Sequence, residues 1–306
     1  MIGNELKFGF VGGGTRAAAE RYESLGIDSL WAGGHIASPN PTPEAMVQLA
    51  RLAALTERVR IGTSILLMPL YQPAIVAKQI ADLDNQTGGR VTLGVGVGGE
   101  YPAEFRAVGV PLEERGSRTN EAIPLLRKLW TAEPVTHHGK HYAFEDVKIH
   151  PAPLQGTALP IIVSGRQPVA MRRAAALGDG WLPYLFSARR YAESVVTIKE
   201  HADKIGRDLT NFEWLAFIFV NVNADRAKAR AAAAAMLGGN YRQDFDAMLD
   251  RVAVAGDIEM VKTKLQEYVD AGARHIVATI ADRDQERHAY ISDTLVHDVF
   301  PSLSIR

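Results

Sequence analysis

The sequence predicts an α/β protein of one domain, residues 1–306, folded as a (β/α)8 TIM barrel with insertions after the fourth and seventh strands. Three observations carry this. Eight β-rich runs alternate with helical ones along the chain. The runs RIGTSILLMP (60–69) and GGRVTLGVGVGGEYPAEF (88–105) are almost free of charge, as strands buried on both faces of a parallel sheet must be. PAIVAKQIADLDNQTGG between them reads as an amphipathic helix, so the three segments form a βαβ unit. Right-handed crossovers leave few other topologies. A doubly wound open sheet would need a G-x-G-x-x-G run opening the first helix, a spacing that Gly12-Gly13-Gly14 does not supply.

Taken in order, LKFGFV (6–11) is the first strand, and TRAAAERYESLG is the helix after it, stopped by Gly26. IDSLWAGGH (27–35) is the second strand. PEAMVQLARLAALTE (43–57) is a helix with Met46, Leu49, Leu52, Ala53 and Leu55 as its apolar positions. The third and fourth strands are the two uncharged runs. A helix over 113–133 carries Ala122, Leu125, Leu126, Leu129 and Trp130 on one side, and Pro124 kinks it or marks its start. Residues 134–158 break the rhythm, with alternation around Gly139 that predicts a hairpin over the barrel and a candidate lid.

LPIIVSGR (159–166) is the fifth strand, followed by the helix PVAMRRAAALG. DGWLPYLF (179–186) holds a short sixth strand, a helix covers 188–206, and FEWLAFIFVNV (212–222) is the seventh. Residues 225–254 are Ala-rich and helical, interrupted at Gly238-Gly239, and longer than a βα connection needs. DIEMVKTKLQEYVDAG (257–272) sets Ile258, Val261, Leu265 and Val269 on one face. ARHIVATIA (273–281) is the eighth strand, and a helix over 284–300 closes the fold.

Composition narrows the function. At 306 residues, 47% hydrophobic and 23% charged with a formal charge of −1, the chain is a globular protein for which neither nucleic acid nor an anionic membrane is an expected partner. No cysteine is present, which removes disulfides, iron–sulfur ligation and a thiol nucleophile. No apolar run reaches a membrane span and no leader precedes the first strand, so the expected location is the cytoplasm.

In a barrel, function collects at the C-terminal strand ends. These supply Phe10, Gly12, His35, Ser64, Ile65, Gly96, Val97, Gly98, Gly165, Arg166, Trp181, Tyr184 and Asn221, a set from which no charged metal cage can be built. His35 is the one imidazole among them and has no carboxylate neighbour in sequence. His137, His138 and His141 fall on alternating faces of the predicted hairpin without acidic companions at ligand spacing, so no metal is expected. Ser64 lacks a G-x-S-x-G elbow, which argues against a serine hydrolase. Four glycines among Gly94 to Gly99 bare the backbone where a strand becomes a loop. Ser164, Gly165 and Arg166, leading into a helix at Pro168, offer N–H groups and a guanidinium to a phosphate. Such a rim suits a large planar cofactor whose own ring does the chemistry. Trp31, Met68, Tyr71, Tyr101, Tyr142, Trp181 and Tyr184 are candidates to line an aromatic substrate pocket.

The motifs DSLWAGGH, AALTERVRIGTSILLMPLYQPAIVAKQIADLDNQTGGRVTLGVGVGG, EFRAVGVPLEERGSRTNEAI, LRKLWTAEPVTHHGKHYAFEDVKIHPAPLQ and MRRAAALGDGWLPY occur in an order that resembles the bacterial luciferase-like superfamily over almost the whole chain. GVPLEERGSRTNEAI, HYAFED and GDGW most resemble its branch of probable F420-dependent oxidoreductases. The resemblance implies coenzyme F420, with FMN as the alternative, lying across the barrel mouth. It implies that Ser64 and Ile65, in a strand bulge with a non-proline cis peptide, back the ring, that Gly96, Val97 and Gly98 flank it, and that Ser164, Gly165 and Arg166 hold the phosphate. His35 is the expected catalytic proton donor or acceptor, and Phe10, Trp31, Tyr101, Trp181 and Tyr184 are the expected lining of the substrate pocket. Two positions depart from the pattern: Gly34 stands where many deazaflavin-dependent relatives have aspartate, and Pro39 where some have tryptophan. The expected activity is hydride transfer to or from a small organic substrate. The alternatives are an FMN monooxygenase fed by a separate flavin or F420 reductase and a non-catalytic flavin-binding barrel. The resemblance and the Ala-rich helix at 226–237 imply a homodimer.

Overall fold

A computed structural model describes residues 5–241 and 243–306. Eight parallel strands close on themselves: β1 (Lys7–Val11), β2 (Ser29–Ala32), β3 (Arg60–Thr63) continued by β4 (Leu66–Leu67), β5 (Val91–Gly96), β8 (Ile161–Val163), β9 (Gly180–Trp181), β10 (Glu213–Val222) and β12 (His275–Ile280), which returns to β1. The hairpin β6 (Val135–His138) and β7 (Ala143–Val147) and the strand β11 (Ala253–Gly256) lie outside this ring. The predicted barrel is therefore the observed one.

Strand parity sorts the side chains. On β5, Val91, Leu93 and Val95 join the main core shared with the helices, whereas Thr92, Gly94 and Gly96 occupy the alternate face. The barrel centre is filled by Trp31, Ile162, Leu182, Leu215 and Val277, one layer drawn from five strands. Toward the N-terminal end, the Trp31 indole donates to Ser29 Oγ at 2.8 Å, and that hydroxyl stands 2.7 Å from His275 Nε2. Arg60 closes the same end with two bonds to Glu213, at 2.6 and 2.8 Å.

The outer helices form where the sequence places caps and stripes. Thr15 caps α1 (Arg16–Ser24), the Glu44 carboxylate accepts from the first turn of α2 (Ala45–Leu55), and Ser187 caps α7 (Ala188–Lys204). Asp257 caps α10 (Ile258–Asp270), which buries Val261, Leu265 and Val269. Proline opens α3 (Pro73–Gln86) and α6 (Pro168–Leu177), where the missing N–H costs nothing.

Several predicted boundaries move. The run 88–105 is a strand only to Gly96, and Pro102–Ala107 forms a separate helix, α4. The helix predicted over 113–133 is α5 (Arg115–Leu129), with Pro124 inside it. The helix α8 (Arg226–Tyr241) runs through Gly238-Gly239, and the remainder of 225–254 folds as α9 (Leu249–Val252) and β11, which extends the sheet beside β10. Ala229, Ala233 and Leu237 of α8 pack against Phe219, Phe245 and Leu249 of the same chain, so the small residues serve an internal contact. The predicted terminal helix is α11 (Gln285–Thr294), passing into a π-turn at Leu295–Val299.

The hairpin of 134–158 is tied to α5. Glu121 accepts from the backbone N–H groups of His141 and Tyr142 and pairs with His137 Nε2 at 3.0 Å. His141 also stands 3.4 Å from Glu114. The histidines thus have acidic companions after all: Glu121 and Glu114, on or next to α5, for His137 and His141, and Glu145 of the hairpin itself, 3.6 Å from His138. Among the described residues, no group of three or more His, Asp or Glu side chains has metal-site geometry, and no helix is long and apolar enough to cross a membrane.

Candidate active site

A cavity of about 500 Å³ opens at the C-terminal mouth of the barrel. It brings together His35, Ser64, Ile65, Gly96, Val97, Gly98, Ser164, Gly165, Arg166 and Tyr184, all expected at the site, from four separate βα exits and the β5 loop.

The floor is made by a mismatch in the third strand. Gly62 pairs with Thr92 but Leu66 pairs with Val95, so residues 63–65 face only 93 and 94. This one-residue bulge holds the Ser64–Ile65 peptide bond, which is cis. It swings Ile65 across the bare face of β5: a Cβ on Gly96 would sit 1.8 Å from Ile65 Cδ1. Only glycine leaves room for that side chain. Ser64 Oγ is buried beside it without a hydrogen-bond partner among the described residues, an unspent polar atom in an otherwise apolar floor.

His35 stands on the loop after β2. Its Nδ1 is 3.2 Å from both oxygens of Glu104, a carboxylate with no solvent exposure on α4, which also accepts from Ile36 N–H at 2.8 Å. An ionised carboxylate only accepts, so this pairing puts the proton on Nδ1 and leaves Nε2 as the second working nitrogen. Tyr101 packs edge-on against the imidazole at 4.9 Å, and its hydroxyl donates to Asn240 O at 3.0 Å.

Across the cavity, Ser164, Gly165 and Arg166 lead into α6, whose N-terminus has no side-chain cap. Two cations that the sequence reading did not single out lie here, Arg115 and Arg173. Arg173 is 5% exposed, donates from Nε to Asn120 Oδ1 at 2.6 Å, and has no carboxylate partner among the described residues. Burial lowers its pKa from the ordinary arginine value, the mark of a charge short of solvent. The Tyr184 hydroxyl donates to Glu100, and the Arg166 guanidinium covers the Tyr184 ring at 4.8 Å; burial first, then Glu100, pushes the phenol pKa up.

Of the residues expected in the substrate pocket, Tyr184 lines this cavity; Tyr101 lines a neighbouring hollow, Met68 and Tyr142 are buried in the core, Tyr71 is not among the lining residues, and Phe10, Trp31 and Trp181 are elsewhere. Phe10 and Trp181 have the outward parity of their strands: Phe10 stacks on Tyr22 at 4.9 Å, while Trp181 packs on Tyr191 and donates from Nε1 to Gly165 O at 3.0 Å. Trp31 points inward and fills the barrel centre. Leu182 of the same central cluster and Phe217, packed against it, line the cavity instead. Asn221, also at a strand end, donates to Ala281 O at 2.8 Å and is not among the lining residues. Glu104, Arg115 and Arg173 were missed because they sit on helices, outside the strand ends; the one available signal was a charged residue on an otherwise core-facing helix side.

Gly34 lines this cavity as well, and its surroundings explain its identity. A Cβ there would lie 2.1 Å from Pro43 O and 2.7 Å from Ala45 N, while His35 N–H donates to Pro43 O at 3.0 Å. The loop 36–44 folds so closely over this position that no side chain fits.

Comparison with known proteins agrees with this fold. The luciferase-like monooxygenase family matches residues 11–275. An uncharacterized protein of Mycobacterium tuberculosis, Rv0940c, is 40% identical over 142 residues, 46% of this chain and 48% of its own, so the match spans about half the length of that relative. An F420-dependent glucose-6-phosphate dehydrogenase of Segniliparus rotundus is 30% identical over 300 residues, 88% of either chain. Among solved structures, an F420-dependent secondary alcohol dehydrogenase in complex with an F420-acetone adduct superposes with a TM-score of 0.83 at 21% identity, over 98% of this chain and 99% of that one. With its family match over most of the barrel and a relative at 30% identity along nearly its whole length, this chain belongs to the luciferase-like monooxygenase family.

Proposed function

We propose that the protein is an F420-dependent oxidoreductase that moves a hydride to or from a small organic substrate, with His35 as its acid–base group. One observation carries the reading: a single cavity joins an apolar, glycine-bared floor to a cationic end, with an oriented imidazole on its wall. The residues present fit a tricyclic deazaflavin with a phosphate-bearing chain. Among the described residues, Ser64 Oγ lacks a partner in the floor, and Arg173 lacks a counter-ion beside the uncapped start of α6.

Ser64, Ile65, Gly96, Val97 and Gly98 would hold the ring; Ser164, Gly165, Arg166, Arg115 and Arg173 would hold the phosphate. When bound, the deazaflavin supplies hydride donor or acceptor chemistry. In the oxidising direction, His35 Nε2 takes the substrate hydroxyl proton as the carbon gives up its hydride, and Glu104 stabilises the imidazolium that results. In the reducing direction the same nitrogen returns the proton. Leu182, Phe217 and Ile65 exclude water from the reacting centre. A homodimer in the cytoplasm, and a separate reductase that renews the cofactor, complete the reading.

FMN is the second cofactor to test, because the observation at Gly34 removes the aspartate of many deazaflavin-dependent relatives and leaves no room to restore it. Fluorescence titration of the apoprotein with F420 and with FMN under one buffer decides between them. Micromolar or tighter binding of F420 alone is the expected result. Preferential FMN binding with oxygen consumption would replace it with the monooxygenase reading, and tight binding without turnover on any substrate with the non-catalytic one.

A further inference from the structure

Beside the cavity just described lies a larger hollow of about 830 Å³, and the two share Glu100, Arg166 and Tyr241. Its charge is one-sided. Arg166, Arg189, Arg190 and Arg251 line it against one carboxylate, Glu100, which is engaged by the Tyr184 hydroxyl. The arginines come from three parts of the chain: the β8 exit, the first turn of α7, and α9. Arg189 pairs with Glu193 at 3.4 Å, but Arg166, Arg190 and Arg251 have no carboxylate within 4.0 Å among the described residues.

Two of these guanidinium groups rest on rings instead. Arg166 covers Tyr184 at 4.8 Å and Arg190 covers Phe186 at 4.5 Å. Cation–π packing of this kind fixes the plane of the guanidinium. The chain as a whole has a formal charge of −1, so the local excess does not reflect a generally basic protein. Cations that converge on a walled hollow without counter-ions focus the potential there and attract anions. The rest of the wall mixes the apolar Leu185, Phe245 and Val252 with neutral polar groups, Ser187, Gln243 and two tyrosines.

We propose that this compartment seats the anionic group, a carboxylate or a phosphate, of the substrate whose reacting carbon lies in the adjoining cavity. The inference rests on the reading above only in that the adjoining cavity holds the cofactor ring. Arg190 and Arg251 clamp the anion, and Arg166, shared by both cavities, stands between it and the cofactor phosphate. The same anion chemistry has a second source, the charged side chain of the coenzyme itself, and the test separates the two.

The full chain, with and without prior loading with F420, is titrated calorimetrically with inorganic phosphate, using wild type, R190Q/R251Q, R190K/R251K and R173Q. Arg190 and Arg251 are exposed, so the fold survives their replacement, and thermal unfolding checks it. The loaded wild type is expected to bind phosphate, R190Q/R251Q to weaken it by about tenfold or more, and the lysine pair to keep part of the affinity. F420 affinity is expected to change less than about twofold in R190Q/R251Q, because the cofactor cradle is separate. Absence of saturable phosphate binding, or equal binding by R190Q/R251Q, overturns the proposal. So does a parallel loss of F420 affinity, which assigns the compartment to the coenzyme's side chain. Should F420 fail to bind at all, phosphate titration of the unloaded chain still decides: loss in R190Q/R251Q supports the anion seat while the cofactor reading falls alone, and loss only in R173Q overturns it.

Discussion

The Nδ1 of His35 stands 3.2 Å from both carboxylate oxygens of Glu104, although 69 positions separate the two residues. Glu104 also accepts from Ile36 N–H, so one buried carboxylate fixes both the imidazole and the loop that presents it. Replacing His35 with Ala should lower kcat by about 10²- to 10⁴-fold while F420 affinity stays within a fewfold. Replacing Glu104 with Gln should lower kcat by less, as the imidazolium formed in turnover loses its counter-charge. An unchanged rate in H35A would remove the histidine from the chemistry.

Arg173 is expected to act on binding and not on the fold. Exchange for Gln removes a nearly buried guanidinium without an ion pair, so thermal stability should hold or rise, while F420 affinity falls by about tenfold or more. Parallel losses of stability and affinity would mark it as a structural brace for Asn120 and Gly116.

Restoring the relatives' aspartate should fail. In G34D the new Cβ meets Pro43 O at 2.1 Å, and displacing that backbone costs on the order of 3 kcal/mol. A melting curve should show the loss and an F420 titration should show no gain. A stable variant with tighter F420 binding would mean that the loop 36–44 rearranges freely.

Stability should fall in mild acid because of His275. Burial first, then the charges of Arg60 and Lys7, hold its pKa well below the usual value, so it stays neutral against Ser29 when folded. The unfolded chain takes up a proton near pH 6.5, the folded chain does not, and stability therefore declines as pH drops below that value. Urea unfolding at pH 7.5 and 5.5 measures the slope, which a His275→Leu variant should flatten. An unaltered slope would assign the acid sensitivity to other groups.

The barrel, its eight strands and the glycine-rich β5 exit were legible because they are local. Uncharged runs, proline starts and polar caps act within a few residues of themselves, and parallel strands must meet in the order that right-handed crossovers allow. His35, Ser64, Ile65 and the 164–166 turn were legible for the same reason: each is at a strand end, and a barrel gathers strand ends at one mouth; the bulge at 64–65 followed only from the resemblance to the family.

Depth and pairing were not local. Phe10 and Trp181 turned away from the mouth through strand parity, and Trp31 filled the barrel centre, since a composition of aromatic residues carries no record of register. Glu104 reached His35, Glu121 reached the hairpin histidines, and four arginines from three segments lined one hollow only after helices packed on the sheet. Hydrophobic period and backbone freedom already specify, along the chain, which segments form the barrel and which rim can carry a planar cofactor. The tertiary structure alone decided which charges meet, because ion pairs and the absence of them depend on distances between elements that the order of residues does not encode.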